Sequence, residues 1–297
     1  MSARHPIIAI TGSSGSGTST IRVAFEHIFR RHGIHAVFVD GDSFHAYNRD
    51  AMREAEHQAM VRGENFSHYG PAANLLDRLE RLFQQYGATG SGIYRHYVHK
   101  ADESDQHGVP AGQFSPWRPL PTPSDFLVYE GLHGGVVTDR YHIAEHVDLL
   151  LGVTPTINLE WIQKIQRDTR DRGYHKANVT ESIIRRMPDY VHYMIPQFSR
   201  TDINFQRVPL VDTSNPFIAR DIPLDGETML VIRFRNPREK KVDFPYLLSM
   251  IDGSIMSRPN TIVVSGGKIR FAMELILTPW IESLLERKRS VAATEKH

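Results

Sequence analysis

The run Gly12-Ser13-Ser14-Gly15-Ser16-Gly17-Thr18-Ser19-Thr20 has the glycine spacing of a phosphate-binding loop. Glycines let a backbone curl until successive N–H groups point at an anion, and a helix that starts at the loop presents its positive end to the same charge. Ser19 falls where a Mg²⁺-binding hydroxyl belongs, whereas Thr18 stands where most such loops carry the lysine that reaches the β- and γ-phosphates. A transferring phosphoryl group spreads its charge over equatorial oxygens, so a kinase with this loop needs a Lys or Arg from another element. The stretch Lys164-Ile165-Gln166-Arg167-Asp168-Thr169-Arg170-Asp171-Arg172 offers one, with Lys164, Asp168 and Arg172 along one helical edge and Arg167 beside them. A solvated helix with alternating charges would carry the same pattern. Arg185 and Arg186 fit phosphate and solvent equally well.

Ligands of open α/β sheets sit beyond the carboxyl ends of the strands, which directs attention to acids there. Glu130 closes the apolar run Phe126-Leu127-Val128-Tyr129 as a Mg²⁺-binding acid would, and as a solvated strand-end carboxylate would too. In Asp40-Gly41-Asp42-Ser43-Phe44-His45, Asp42 stands where a sugar hydroxyl could meet the γ-phosphate, which makes it the candidate general base. Asp40 and Asp42 also suit the role of turn caps. His45 and Arg49, four residues apart, would share a helix face beside Asp42 and could hold a sugar phosphate. Tyr97 and His99 could reach substrate hydroxyls or simply pack. The 16 histidines show no H-E-x-x-H run, so a zinc site is not expected.

The elements that must position these residues follow from periodicity. Residues 6–11 read as a buried strand, 19–33 as a helix with Ile21, Ala24, Phe25, Ile28 and Phe29 on one stripe, and 36–40 as a return strand, together a right-handed βαβ unit. Helices are expected over 71–87, 157–172, 269–287 and from 180 to 187, ending before Pro188. Strands are expected over 126–129, 146–153, 208–212, 229–235 and 261–264, which makes the sheet largely parallel. The fold class is therefore α/β: a P-loop kinase-like, doubly wound sheet flanked by helices, one domain over residues 1–297. Residues 85–125 lack periodicity over a length that is uncommon unless functional, and read as a lid insertion, while 290–297 read as a frayed tail.

Composition narrows the function. With 297 residues, 40% hydrophobic, the chain can bury a core without staples. It has no cysteine, which excludes disulfides, zinc-thiolate sites, thiol nucleophiles and thiol redox switches. Its 35 basic and 34 acidic residues nearly cancel, removing the overall field of a nonspecific nucleic-acid binder. No apolar run approaches the roughly 18 residues of a membrane span, and an intracellular protein is expected.

Longer strings add to the loop: Asp42-Ser43-Phe44-His45, Tyr129-Glu130-Gly131-Leu132-His133, Asn158-Leu159-Glu160-Trp161-Ile162-Gln163-Lys164-Ile165, Pro196-Gln197-Phe198-Ser199, Thr201-Asp202-Ile203-Asn204-Phe205-Gln206-Arg207-Val208-Pro209, Val211-Asp212-Thr213-Ser214-Asn215-Pro216-Phe217 and Arg233-Phe234-Arg235-Asn236-Pro237. Together they resemble phosphoribulokinase of the proteobacterial class, over nearly the whole chain, and that family itself has Thr in place of the loop lysine. The resemblance implies ATP-dependent phosphorylation of the C1 hydroxyl of D-ribulose 5-phosphate to ribulose 1,5-bisphosphate in the Calvin cycle. It implies Asp42 as base, Glu130 and Asp168 serving Mg²⁺ and the phosphoryl centre, and Lys164 as the missing cation. His45, Arg49, Arg167 and Arg172 would hold ribulose 5-phosphate, with Tyr97 and His99 as further candidates. It also implies a cytosolic homo-octamer activated by NADH and inhibited by AMP, with Arg31, Arg233 and Arg258 at an effector site.

Two other readings compete. A uridine-kinase-like enzyme would share the loop, but such enzymes normally keep the lysine, and an uncharged acceptor leaves Arg49, Arg167 and Arg172 without an obvious partner. A nucleotide-binding switch would bind without transfer, and the chain has no N-K-x-D guanine motif.

Overall fold

Strands covered on both faces read as unbroken apolar runs, and β1 (Ile7–Gly12) is buried at every residue. The computed structural model describes residues 4–13, 16–154, 156–170, 173–219 and 221–294. After β1 come α1 (Thr18–His32), β2 (Ala36–Asp40), α2 (Arg49–Val61), α3 (Leu76–Thr89), β3 (Ile93–Tyr94), α4 (Ser104–His107), β4 (Arg118–Pro119), β5 (Phe126–Gly131) and β6 (Leu149–Val153). The second half holds α5 (Ile157–Arg170), α6 (Lys176–Asp189), α7 (Ile195–Phe198), β7 (Ile203–Pro209), β8 (Thr228–Phe234), α8 (Phe244–Met250), β9 (Ile255–Arg258), β10 (Thr261–Ser265) and α9 (Ile269–Thr294).

Eight strands form one sheet in the order β2-β5-β1-β6-β7-β8-β10-β9. The first five pair in parallel and the last three join antiparallel, so the expected largely parallel, doubly wound α/β sheet is present. Alternate residues feed two cores. Ile8, Ile10, Phe126 and Val128 pack under α1 and α9 with Phe25, Ile28, Met273 and Leu277. Ile7, Ala9, Leu127 and Tyr129 pack under α3 with Leu76, Leu79, Leu82 and Phe83. Each of the larger side chains among these contributes on the order of 2 kcal/mol by leaving water, which fixes strand register as well as stability. Parallel alignment brings the ends of β1, β2 and β5 to one edge, with Asp40 opposite Glu130 and Glu130 opposite Ile10.

Several boundaries differ from the sequence reading, each for a local reason. The helix expected over 71–87 splits into a short turn at Pro71–Ala73 and α3, which runs through Gly87 and is capped instead by Gly90 in the left-handed region. Pro188 lies inside α6, because the chain passes into a wider turn over Tyr190–Met194 that accommodates the missing N–H. The strand expected over 208–212 is β7, which ends at Pro209; its core residues are Ile203 and Phe205. The run 146–153 opens as a turn at Ile143–His146 before β6. Residues 290–294 are not frayed: α9 continues through Pro279 to Thr294, with the Thr294 hydroxyl donating to the Ser290 carbonyl at 3.0 Å. α2, α8 and β9 carried too little apolar periodicity to be expected.

The 85–125 region is an ordered insertion. α3 occupies its start, β3 and β4 pair antiparallel, and Tyr97 bridges Phe114. Its far end is tied to α2 by Arg49 N–H donating to Gly112 O at 2.9 Å and Asn48 Nδ2 donating to Gln113 Oε1 at 2.9 Å. No helix among the described residues is long and apolar enough to cross a membrane.

Candidate active site

The carboxyl end of β2 turns at once. Asp40 Oδ1 accepts from Asp42 N–H at 3.0 Å, so Asp40 is the cap of the short turn Gly41–Phe44, and that turn carries Asp42 out beyond the sheet. Gly41 is required there, since a Cβ would lie 2.6 Å from the Tyr129 hydroxyl and 2.7 Å from Gly131 Cα. Asp42 is then held between two imidazoles, His45 Nε2 at 3.0 Å from Oδ1 and His99 Nε2 at 3.3 Å from Oδ2. Burial pushes the Asp42 carboxyl up, but the charge and hydrogen bond of His45, with His99 and His68 beyond, outweigh it and hold the carboxyl well below its usual range. Burial lowers His45 while Asp42 raises it, with the net direction up. Loss of water around Asp40, then the charges of Asp42 and Glu130, lift its carboxyl to about 7.

A buried shell supports this acid. His45 Nδ1 meets Asn74 Oδ1 at 2.7 Å, His68 stacks on His45 at 4.0 Å, and His133 lies behind, pushed down to about 4 by burial. Arg95 of the insertion donates to the carbonyls of Ser43 (2.8 Å) and His45 (2.6 Å) while its guanidinium lies 3.6 Å over the Phe114 ring. Arg49 Nη2 donates to His99 O at 2.8 Å and also bonds Tyr97. His45 and Arg49 do not share a helix face, because His45 is extended after the turn and Arg49 opens α2. The insertion nevertheless links them: His99 meets Asp42, and Arg49 bonds His99 O and Tyr97.

The second half of the site stands on α5 and α6. Lys164 Nζ lies 2.6 Å from Asp168 Oδ2, and Arg167 Nη2 lies 3.0 Å from Asp168 Oδ1, so the buried Asp168 carboxylate is bracketed by two cations. Burial lowers the Lys164 ammonium, partly offset by Asp168. One turn earlier, Glu160 is buried against Tyr190; burial drives it to about 7 against the opposing hydroxyls of Ser13 and Tyr190. Arg185 and Arg186 are partly buried and both clamp Glu56 of α2, at 3.4 and 2.5 Å. Residues 67–70 join the halves, with His68 on His45, the Tyr69 ring edge-on to Tyr190 at 5.4 Å, and Ser67 Oγ donating to Asp189 at 2.6 Å.

The phosphate loop lies between them. A Cβ on Gly12 would come within 2.7 Å of Ser16 Oγ and 2.9 Å of Val153 O, so only glycine permits the backbone to fold this closely. Ser16 Oγ is buried and finds no hydrogen-bond partner among the described residues, as expected of a loop shaped to surround an anion. Of the residues expected to hold phosphate, Gly12, Ser13, Ser16, Gly17, Thr18 and Thr20 are described, with α1 starting at Thr18; Ser14, Gly15, the Ser19 side chain and Arg172 lie outside the described residues. Glu130 meets Arg22 Nη1 at 3.9 Å and remains partly open at the strand end. Among the described residues no group of three or more His, Asp or Glu is arranged to hold a metal ion by itself. A single open carboxylate such as Glu130 fits Mg²⁺, which takes one or two carboxylates and completes its shell with phosphate oxygens and water.

The arginines assigned to an effector site are spread out. Arg31 ends α1 and pairs with Glu274 of α9 at 3.1 Å. Arg233 and Arg258 both register with Thr261, on β8 and β9, and Arg233 Nη2 donates to Phe198 O at 3.0 Å. Because Ile232 and Phe234 point into the core under α9, Arg233 lies on the other face of the sheet from Arg31.

Asn74, His68, His133, Arg95, Glu160 and Tyr69 were not expected at the site. His133 was within reach of the strand-end rule, three residues past Glu130. Asn74 and His68 sit on a loop with no motif or period, and only the fold brings them in.

With this geometry in place, relatives can be compared. The model of the phosphoribulokinase / uridine kinase family matches residues 7–214. The chain belongs to that family. Its likeness to particular members spans their full length. It is 56% identical over 293 residues to a chromosomal phosphoribulokinase of Cupriavidus necator, covering 98% of this chain and 100% of the relative. It is 57% identical to a phosphoribulokinase of Nitrobacter vulgaris over 97% of this chain and 99% of that one. The solved phosphoribulokinase from Rhodobacter spheroides superposes with a TM-score of 0.89 at 52% identity, over 97% of this chain and 100% of that one. Membership in this family agrees with a kinase site at the carboxyl edge of the sheet.

Proposed function

We propose that this chain transfers the γ-phosphoryl group of ATP to the C1 hydroxyl of D-ribulose 5-phosphate, giving ribulose 1,5-bisphosphate for the Calvin cycle. The observation that carries this reading is the Asp42 carboxylate, ionised and braced by His45 and His99 beside the phosphate loop, in a chain alike over its whole length to proteins named phosphoribulokinase. Backbone N–H groups of residues 12–20 would hold the phosphates, and Lys164, desolvated and aimed by Asp168, supplies the cation that Thr18 does not. Asp42 orients the hydroxyl and accepts its proton late, which suits a loose phosphoryl transition state. Arg49, Arg167 and Arg172, with His45, Tyr97 and His99, form the basic rim for the 5-phosphate and sugar hydroxyls. Glu130, with the Ser19 hydroxyl, would supply oxygen donors for Mg²⁺, which would neutralise charge on the β- and γ-phosphates. Asp168, bonded to Lys164 and Arg167, would serve Mg²⁺ and the phosphoryl centre from the α5 side. Activation by NADH and inhibition by AMP in a cytoplasmic homo-octamer remain part of the proposal; since Arg31 and Arg233 lie on opposite faces of one sheet, an effector site using both would draw on two chains.

The test is acceptor choice. Purified protein with ATP and Mg²⁺ should release ADP with ribulose 5-phosphate and not with uridine. Release with uridine would move the chain to the sister activity of its family, and release with neither would leave only nucleotide binding.

A further inference from the structure

Asn74 closes the acid half of the site from behind, and its orientation is settled by its neighbours. Its amide nitrogen lies 2.8 Å from His68 O and 2.7 Å from Gly70 O. Both are carbonyls that can only accept, so the –NH₂ must face them and Oδ1 must face His45. Oδ1 sits 2.7 Å from His45 Nδ1 and can only accept in turn, so Nδ1 carries a hydrogen. Main-chain contacts keep the pair in register: Ala46 N–H donates to Ala73 O at 2.9 Å and Leu75 N–H to Phe44 O at 2.7 Å. Across the same ring, Nε2 lies 3.0 Å from Asp42 Oδ1. If Nδ1–H were the ring's only proton, two lone pairs would oppose each other over that distance. A second proton therefore sits between Nε2 and Oδ1.

We propose that Asn74 is a positioning residue for phosphoryl transfer: it fixes His45 with Nδ1–H, which keeps a protonated Nε2 against Asp42 Oδ1 and leaves Asp42 Oδ2, whose neighbouring imidazole is His99 at 3.3 Å, as the oxygen that receives the acceptor hydroxyl's proton on its second lone pair. This rests on Asp42 being the base. The hydroxyl proton passes to Oδ2 as the sugar oxygen bonds to the γ-phosphorus and the bond from that phosphorus to the departing ADP oxygen breaks. The titratable and charged groups around the His45 ring are Asp42, Asp40, His68, His99, His133, Tyr97 and Arg95. His133 Nε2 donates to Tyr69 O at 3.2 Å, and both His133 and His68 are kept neutral by burial. The positive charge within the buried trio therefore rests on His45.

Asn74→Leu keeps the size and removes the acceptor. The ring is then free to become neutral with Nε2–H, and Asp42 loses the pull of a full positive charge. With ATP and ribulose 5-phosphate, kcat should fall about 10- to 100-fold, with KM for ATP within about twofold. The acid limb of the kcat profile should move up by about one pH unit, because a carboxylate relieved of a neighbouring cation becomes more basic. A purely structural role would lower activity without moving that limb, and an unmoved limb overturns the proposal. Should the variant not fold, the parent protein decides alone. In histidine labelled with ¹⁵N, the His45 ring, identified by its loss in His45→Gln, should show both nitrogens protonated at neutral pH without substrate. A bare Nδ1 in an active parent overturns the Asn74 proposal while sparing the kinase reading; a parent inactive with every acceptor overturns the kinase reading and the transfer role together.

Discussion

The two halves of the site are held in different ways. The acid half is built on main chain: Asp42 rides on a turn capped by Asp40 at the end of a central strand, and His45 is locked by backbone pairing to residues 73–75 and by Arg95 bonds to the carbonyls of Ser43 and His45. The cation half is built on side chains: Lys164 and Arg167 are long, and Asp168 and the packing of α5 set their direction. A capped turn beneath Asp42 and a backbone-anchored His45 against its carboxylate constrain the acid before substrate arrives, as proton transfer demands. Two cations sharing one carboxylate can exchange a bond for a phosphate oxygen at small cost, which suits groups that must follow charge as it moves. The first half is a fixed template, and the second is an adjustable clamp.

That contrast can be broken at its strongest point. Asp42→Asn removes the proposed proton acceptor but leaves the turn capped by Asp40, so kcat should drop about 10³-fold with ATP affinity nearly unchanged, as calorimetry would show. Losing ATP affinity as well would mean the halves are not separate. Lys164→Met acts on the clamp and should cost about 10²-fold in kcat, with KM for ribulose 5-phosphate little affected, read by steady-state kinetics.

Glu160 sharpens the comparison through stability. Its carboxyl is raised to about 7 from 4.5, so the folded state holds a proton between those values that the unfolded chain has released. Stability is therefore lost as pH rises through that window, by about 3 kcal/mol in all. Asn or Gln cannot titrate, so Glu160→Gln should lose less stability than the parent between pH 4.5 and 8, measured by urea unfolding; equal pH slopes would show that Glu160 stays ionised. The smallest effect belongs to Arg95→Ala, which removes two bonds to carbonyls and the contact with Phe114, about 2 kcal/mol of stability. It should raise KM for the sugar phosphate more than for ATP, and an equal rise in both would place Arg95 outside the template.

Sequence made the template's chemistry visible but not its supports. The phosphate loop, Asp42 and Glu130 follow from spacing and from strand ends, because those positions obey general rules of parallel sheets. Lys164 was reachable once Thr18 exposed the need for a cation. Asn74, His68 and Arg95 were not, since each contributes through contacts between segments distant in sequence, such as Arg95 to Ser43. One helix end differs at a proline: Pro188 lies within α6, beside a wider turn, whereas Pro279 lies within α9, inside the span expected to be helical. His45 and Arg49 are not joined by a common helix face; what lies between them is Tyr97 of the insertion, edge-on to His45 at 6.5 Å and hydrogen-bonded to Arg49.

The most direct measurement is a structure of the protein with ribulose 5-phosphate and a nonhydrolysable ATP analogue. The account predicts the C1 hydroxyl within about 3 Å of Asp42 Oδ2, with Oδ1 still bonded to His45, and Lys164 turned from Asp168 toward the γ-phosphate. A C1 hydroxyl directed at Asp168 instead, with Asp42 bonded only to its histidines, would contradict it.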